Sequence, residues 1–151
     1  MIIAVLIPLT IGYIASALNP NSSLMYKEFD KLSFFPKGNI FPIVWTVLYI
    51  LLGISSYRIW MLHTQGYNTK WAFFFYILGL ILNFIWPFIF FHFQLYGLAF
   101  ITIILMIIIA VITFIAFLKL DKTAALLLIP YILWLIFASV LNYYIWLWYE
   151  M

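Results

Sequence analysis

The sequence predicts an all-α integral membrane protein, a single domain built as a bundle of five transmembrane helices. Three observations carry that reading. Of the 151 residues, 69% are hydrophobic and the mean hydropathy is +1.21, whereas a soluble chain is about half apolar and about a quarter charged. Only 7 basic and 4 acidic residues are present, too few to cover a watery surface without large apolar patches. Those charges also stand at intervals that suit the roughly 20 residues of a spanning helix. A Lys, Arg or Asp at a helix centre costs about 2.5 to 3.5 kcal/mol on insertion, so the charges mark where the chain leaves hydrocarbon.

Residues 2–18 form the first span, ended by Asn19-Pro20-Asn21 because proline cannot continue a helix and asparagine favours turns. With no basic stretch ahead of it and no small-residue cleavage site, this segment is expected to be retained and not removed as a signal peptide. Residues 19–40 make a long first loop holding Lys27, Glu28, Asp30, Lys31 and Lys37. The 20 uncharged residues between Lys37 and Arg58 predict a second span over 41–61, with Arg58 snorkelling near its end. His63-Thr64-Gln65-Gly66-Tyr67-Asn68 is the next turn.

Lys70 and Lys119 bracket 48 uncharged residues, about 72 Å as one helix and more than twice the hydrocarbon thickness. Two spans are needed, 70–91 and 97–118, parted at the polar cluster His92-Phe93-Gln94-Leu95-Tyr96-Gly97. Lys119-Leu120-Asp121-Lys122 is a tight turn, and 123–148 is the fifth span, whose aromatic far end suits an interfacial belt. The basic residues divide four against three between the two faces, which leaves orientation open.

Several function classes fall away. The absence of cysteine excludes disulfides, thiolate metal sites and cysteine nucleophiles. The net charge of +3 is scattered and forms no nucleic-acid patch. The spans hold no carboxylate for paired acid and base work, and His63 and His92 stand at helix ends without a second metal ligand nearby. No phosphate loop, nucleophile elbow or zinc-protease motif is present. No charge lies mid-span to serve an ion path, and an odd count of five helices argues against an inverted-repeat transporter.

What remains is a set of helical stripes. Trp45, Tyr49, Gly53, Ser56 and Trp60 step by 4, 4, 3 and 4. Asn83, Trp86, Pro87 and Phe90 form a second stripe, and Pro130, Trp134, Phe137, Ala138, Leu141 and Asn142 a third. Three aromatic stripes with small or amide residues can line one cavity for a large flat ligand, or they can be helix packing and interfacial belt. Asn83 is costly in lipid without a partner, as interhelical glue or as a ligand contact.

The stripes also sit in longer motifs. Phe41-Pro42-Ile43-Val44-Trp45-Thr46-Val47-Leu48-Tyr49, followed by Gly53, Ser56-Tyr57 and Trp60, resembles the second helix of the translocator protein and tryptophan-rich sensory protein family. Asn83-Phe84-Ile85-Trp86-Pro87-Phe88-Ile89-Phe90-Phe91 is similar to its third-helix motif, and the run from Pro130-Tyr131 through Trp134 and Ala138 to Asn142-Tyr143-Tyr144 to its fifth. The resemblance covers nearly the whole chain.

It implies a five-helix bundle, commonly a homodimer, in the membrane of a bacterial cell. The bundle is expected to bind porphyrins such as protoporphyrin IX and benzodiazepine-type drug-like ligands, with no cofactor required. By motif position it implies a site of Tyr26, Trp45, Tyr49, Asn83, Trp86, Phe90, Trp134 and Ala138, with Trp45 and Trp134 as the candidates for any photochemical degradation of porphyrin. Receptor or sensor, light-dependent enzyme and porphyrin or lipid transporter are the three functions it leaves open. In the first loop, Lys31-Leu32-Ser33-Phe34-Phe35-Pro36-Lys37 and Asn39 depart from the family's Pro- and Trp-containing pattern. Lys31 and Lys37 are either partners for porphyrin propionates or solvated loop charges. No Lys or Arg follows Tyr143-Tyr144, so the cholesterol-recognition pattern of animal members is not carried over.

Overall fold

The computed structural model describes residues 1–20, 25 and 40–149. Among them the helices are α1 (Ile2–Ala17), α2 (Ile40–Thr64), α3 (Lys70–Pro87), α4 (Tyr96–Leu118), α5 (Lys122–Leu126) and α6 (Ile129–Tyr149). A π-helical turn, Phe88–His92, continues α3. The described residues contain no strand. Four stretches, Ile40–Thr64, Lys70–His92, Tyr96–Leu118 and Lys122–Tyr149, are long and apolar enough to cross a membrane. The apolar α1, with 16 residues, is shorter, about 24 Å at 1.5 Å per residue. The outward faces carry the apolar side chains a bilayer requires, among them Ile77, Ile81, Ile101, Ile108, Ile115, Leu133 and Val140.

Helix ends follow local chemistry. Asn19 closes α1 by donating from Nδ2 to the Ala15 carbonyl at 2.7 Å. After α2, Gly66 at φ +93° takes the left-handed conformation that terminates helices, and its N–H bonds the His63 carbonyl at 3.1 Å. The sequence predicts one helix over 123–148, but the structure has two pieces. Asp121 caps α5 by accepting from the Thr123 N–H at 3.2 Å, the chain turns at Leu127 and Leu128, and Pro130 opens α6 in the first turn, where its missing N–H costs nothing. Arg58, expected only to snorkel, donates from Nε to Asp121 at 2.6 Å. That bond from Arg58 holds the Asp121 carboxyl below its ordinary value.

The helices form a ring. α1 lies along α2 and flanks α3, α3 packs on α4, and α4 packs on α6. The ring closes through α5 and the first part of α6 against α2. Gly53 allows the α1–α2 approach, since a Cβ there would collide with Val5 Cα and stand 2.8 Å from the Ala4 carbonyl oxygen. The half of the bundle away from the first loop is solid, built on Leu52, Ile59, Tyr76, Phe117, Leu128 and Leu135. At the other end lie the C-termini of α1, α3 and α6 and the N-termini of α2 and α4. Here α2 makes little contact with α3 or α6, and a cavity opens between them.

Candidate functional site

The cavity measures about 520 Å³, within the range of roughly 300 to 1,000 Å³ typical of small-molecule sites. Every helix except α5 contributes to it. From α2 come Phe41, Pro42, Trp45, Thr46 and Tyr49. Asn83, Trp86 and Pro87 of α3 face them, with Phe90 and Phe91 from the π turn. α4 supplies Ile103 and Met106, and α6 supplies Ala138, Leu141, Asn142 and Ile145. Leu9, Gly12, Tyr13, Ala15, Ser16 and Asn19 of α1 complete the wall. No charged side chain is among these lining residues. Met25, from the segment between α1 and α2, clusters with Phe90, Phe91, Tyr96 and Ile145.

The walls are aromatic. Trp45 stacks on Tyr49 at 5.5 Å, and Trp86 on Phe90 at 4.7 Å. Two amides tie the aromatics in place. Asn142, almost fully buried, accepts from Trp86 Nε1 at 3.2 Å and donates from Nδ2 to the Tyr96 carbonyl at 2.9 Å, joining α3, α4 and α6. Asn83 donates from Nδ2 to the Gly79 carbonyl at 3.0 Å and to the Tyr131 hydroxyl. The side-chain oxygens of Asn83 and Asn19 are buried with no hydrogen-bond partner. Both residues line the cavity, and such an oxygen can only accept a hydrogen bond.

The structure brings Trp45, Tyr49, Asn83, Trp86, Phe90 and Ala138 onto one cavity. Trp134 does not line it. Its ring stands one layer back, edge-on to Trp45 at 6.4 Å and 89° and to Phe41 at 5.4 Å, with a buried Nε1 that has no hydrogen-bond partner. Tyr26 lies outside the described residues, as do Lys31, Lys37 and the altered first-loop motif. The α2 stripe is divided among four roles. Trp45 and Tyr49 reach the cavity, Gly53 meets α1, Ser56 is buried in the solid half, and Trp60 is half exposed against His63 and Phe73. Four turns of helix rise about 22 Å, more than the depth of one pocket.

Some lining residues were not in the stripes. Phe91 faces inward beside Phe90 because the π turn holds an extra residue, with the Phe93 N–H bonding the Phe88 carbonyl five residues back at 2.9 Å. Periodicity at 3.6 residues does not register such a turn. Pro87, which has no N–H to continue the α ladder, stands immediately before it. The α1 wall is small and weakly polar, and Asn19 read only as a turn residue.

An aromatic cavity closed by amides, inside a ring of apolar helices, defines a multi-pass integral membrane protein with a small-molecule site within its bundle. The chain belongs to the TspO/MBR family, whose family model matches residues 4–147. It is similar to the tryptophan-rich protein TspO of Archaeoglobus fulgidus, 36% identical over 148 residues that cover 97% of this chain and 95% of that one. The human translocator protein is 34% identical over 123 residues, covering 80% of this chain and 72% of its own. The tryptophan-rich sensory protein of Cereibacter sphaeroides is 30% identical over 118 residues, 78% of this chain and 72% of that protein.

Proposed function

We propose that this protein is a membrane receptor or sensor for tetrapyrroles, binding protoporphyrin-like and benzodiazepine-type drug-like molecules in the cavity between α1, α2, α3 and α6. The observation that carries the proposal is the cavity of about 520 Å³ walled by Trp45, Tyr49, Trp86 and Phe90. A porphyrin is a broad apolar disc with charged edges. Its face gains by burial against aromatic rings, while its propionates, finding no cation among the described lining residues, turn to the first-loop end. No resident cofactor is needed for this, and the protein's partners are the ligand, membrane lipid and a second copy of the chain. The names of the Cereibacter and human relatives support a sensory or translocating role.

A second reading, light-dependent degradation of bound porphyrin, is favoured by one feature. Trp45 on the wall touches Trp134 behind it, so two oxidisable indoles stand in series from the cavity outward. One experiment tests both readings. Protoporphyrin IX is titrated into detergent-purified protein, and tryptophan fluorescence and porphyrin absorption are followed in the dark and under fixed illumination. Saturable quenching in the dark is expected from the receptor, with loss of the porphyrin bands only if the second activity is present. Quenching no different from that of an unrelated membrane protein refutes both.

A further inference from the structure

The cavity wall is open between α1 and α2. On α2, Gly53, Tyr49, Thr46 and Pro42 step by 4, 3 and 4 and form one row, and on α1, Val5, Leu9, Gly12 and Ser16 step by 4, 3 and 4 and form the row that faces it. Toward the solid half the rows touch. Gly53 lies against the Val5 backbone, and the Tyr49 ring lies on Gly12, where a Cβ would collide with it. Past that contact they part. Ser16 on one helix and Pro42 and Thr46 on the other are exposed, yet all three still line the cavity. Tyr13, one turn before Ser16, lines it as well and is 76% exposed.

We propose that this gap is the entrance of the cavity, and that its ligands arrive sideways from the bilayer, between α1 and α2, after dissolving in the membrane. The proposal rests on the reading of the cavity as a ligand site and adds the route to it. Next to the gap on the same two helices, Ile14, Ile43 and Val47 are exposed apolar side chains, a surface that acyl chains cover, so the gap faces lipid. Its depth suits an amphiphile. Thr46 lies six residues beyond Ile40, the first of α2, about 9 Å at 1.5 Å per residue, or roughly the outer third of a hydrocarbon core of about 30 Å. A flat ligand can pass edge-first between the helices at that level while its charged groups stay among the lipid headgroups. The rim residues Ser16 and Thr46 are small, and the Tyr49 ring resting on Gly12 forms the inner sill.

A ring placed in the gap closes it. Ser16→Phe and Thr46→Phe, reconstituted in lipid nanodiscs, are compared with the parent by stopped-flow tryptophan quenching with protoporphyrin IX. A narrowed route raises the barrier to entry and to exit alike, so the association and dissociation rates should fall together, by roughly tenfold, while the dissociation constant changes little. A lost or crowded contact acts mostly on dissociation instead. A dissociation rate that is unchanged or faster in both variants overturns the proposal. A second arm needs no tetrapyrrole. Trp45 stands on the cavity wall one residue before Thr46, and its emission is obtained as the difference between the parent and Trp45→Phe, in nanodiscs whose lipid is brominated on the upper acyl chain. Bromine should quench that emission more strongly than aqueous acrylamide does, and Thr46→Phe should weaken the bromine quenching at least twofold. Quenching of Trp45 by acrylamide and not by brominated chains places the opening on water and overturns the proposal. A parent that is quenched by brominated chains and does not bind protoporphyrin IX keeps the lateral entrance and refutes the tetrapyrrole reading alone.

Discussion

Replacing Gly53 by alanine puts the ring of helices itself under test. A Cβ at that position collides with Val5 Cα and stands 2.8 Å from the Ala4 oxygen and 2.9 Å from the Val5 nitrogen. Non-bonded carbon atoms prefer about 3.5 to 4.0 Å, so α1 has to retreat by roughly 1 Å at the crossing. The three atoms are all backbone, and no rotamer change relieves them. An alanine in place of glycine inside a helix ordinarily gains about 1 kcal/mol, while an extra methyl group in a close-packed contact costs about 1 to 3 kcal/mol. The expected net effect is a destabilisation of up to about 2 kcal/mol, against the intrinsic preference of the residue. Thermal unfolding in a fixed detergent, followed by circular dichroism, checks this, with a melting temperature lower by about 2 to 4 °C per kcal/mol for a chain of this size. A Gly53→Ala protein more stable than the parent would show that α1 and α2 do not cross at this distance.

Three other outcomes follow from the same geometry. Asn142→Leu removes the acceptor of Trp86 and the donor to Tyr96; at an average of about 0.6 and a maximum of about 1.7 kcal/mol per interhelical bond, stability drops by about 1 to 3 kcal/mol in denaturant titration. The Asp121 carboxyl is held below its ordinary value by Arg58, so the pair's stabilisation is complete above the unfolded carboxylate pKa near 3.9 and is lost as pH falls through the lower folded value. Asp121→Asn should therefore melt lower than the parent at neutral pH and lose the acid-side part of its pH dependence, and identical melting curves across that range would refute the pairing. If porphyrin is degraded in light, Trp45→Phe should cut product per bound porphyrin far more than it cuts binding, Trp134→Phe should do so to a smaller degree from its second-layer position, and His63→Ala and His92→Ala should leave the yield unchanged.

The spans were legible because the bilayer reads the simplest property of a sequence, where its charges fall. Lys37, Lys70 and Lys119 stand within a few residues of ends of the long helices, whereas α2 runs six residues past Arg58 to Thr64, beyond the expected end at 61 and through His63-Thr64, the expected start of the turn. The cavity was legible in part, since Trp45, Tyr49, Asn83, Trp86 and Ala138 lie on helical stripes. Features made by pairs distant in sequence were not. Nothing local to Arg58 points to Asp121, 63 positions away, and nothing near Tyr131 points to Asn83, 48 positions away. The π turn hid Phe91 from any count at 3.6 residues. Trp134 carries the same pattern as Trp45, and only the crossing of α2 and α6 puts one on the wall and the other behind it.

The affinity of the Ala138→Phe protein for protoporphyrin IX tests the central claim most directly. Ala138 is buried on the cavity wall, one turn from Trp134, and a phenyl ring there occupies the ligand's space without disturbing a hydrogen bond that ties the helices together. The parent should bind saturably in the micromolar range, about 8 kcal/mol, while Ala138→Phe should elute as the same monodisperse species and show at least a tenfold weaker dissociation constant. Equal affinity in a folded Ala138→Phe protein would contradict the claim that this cavity is where the ligand binds.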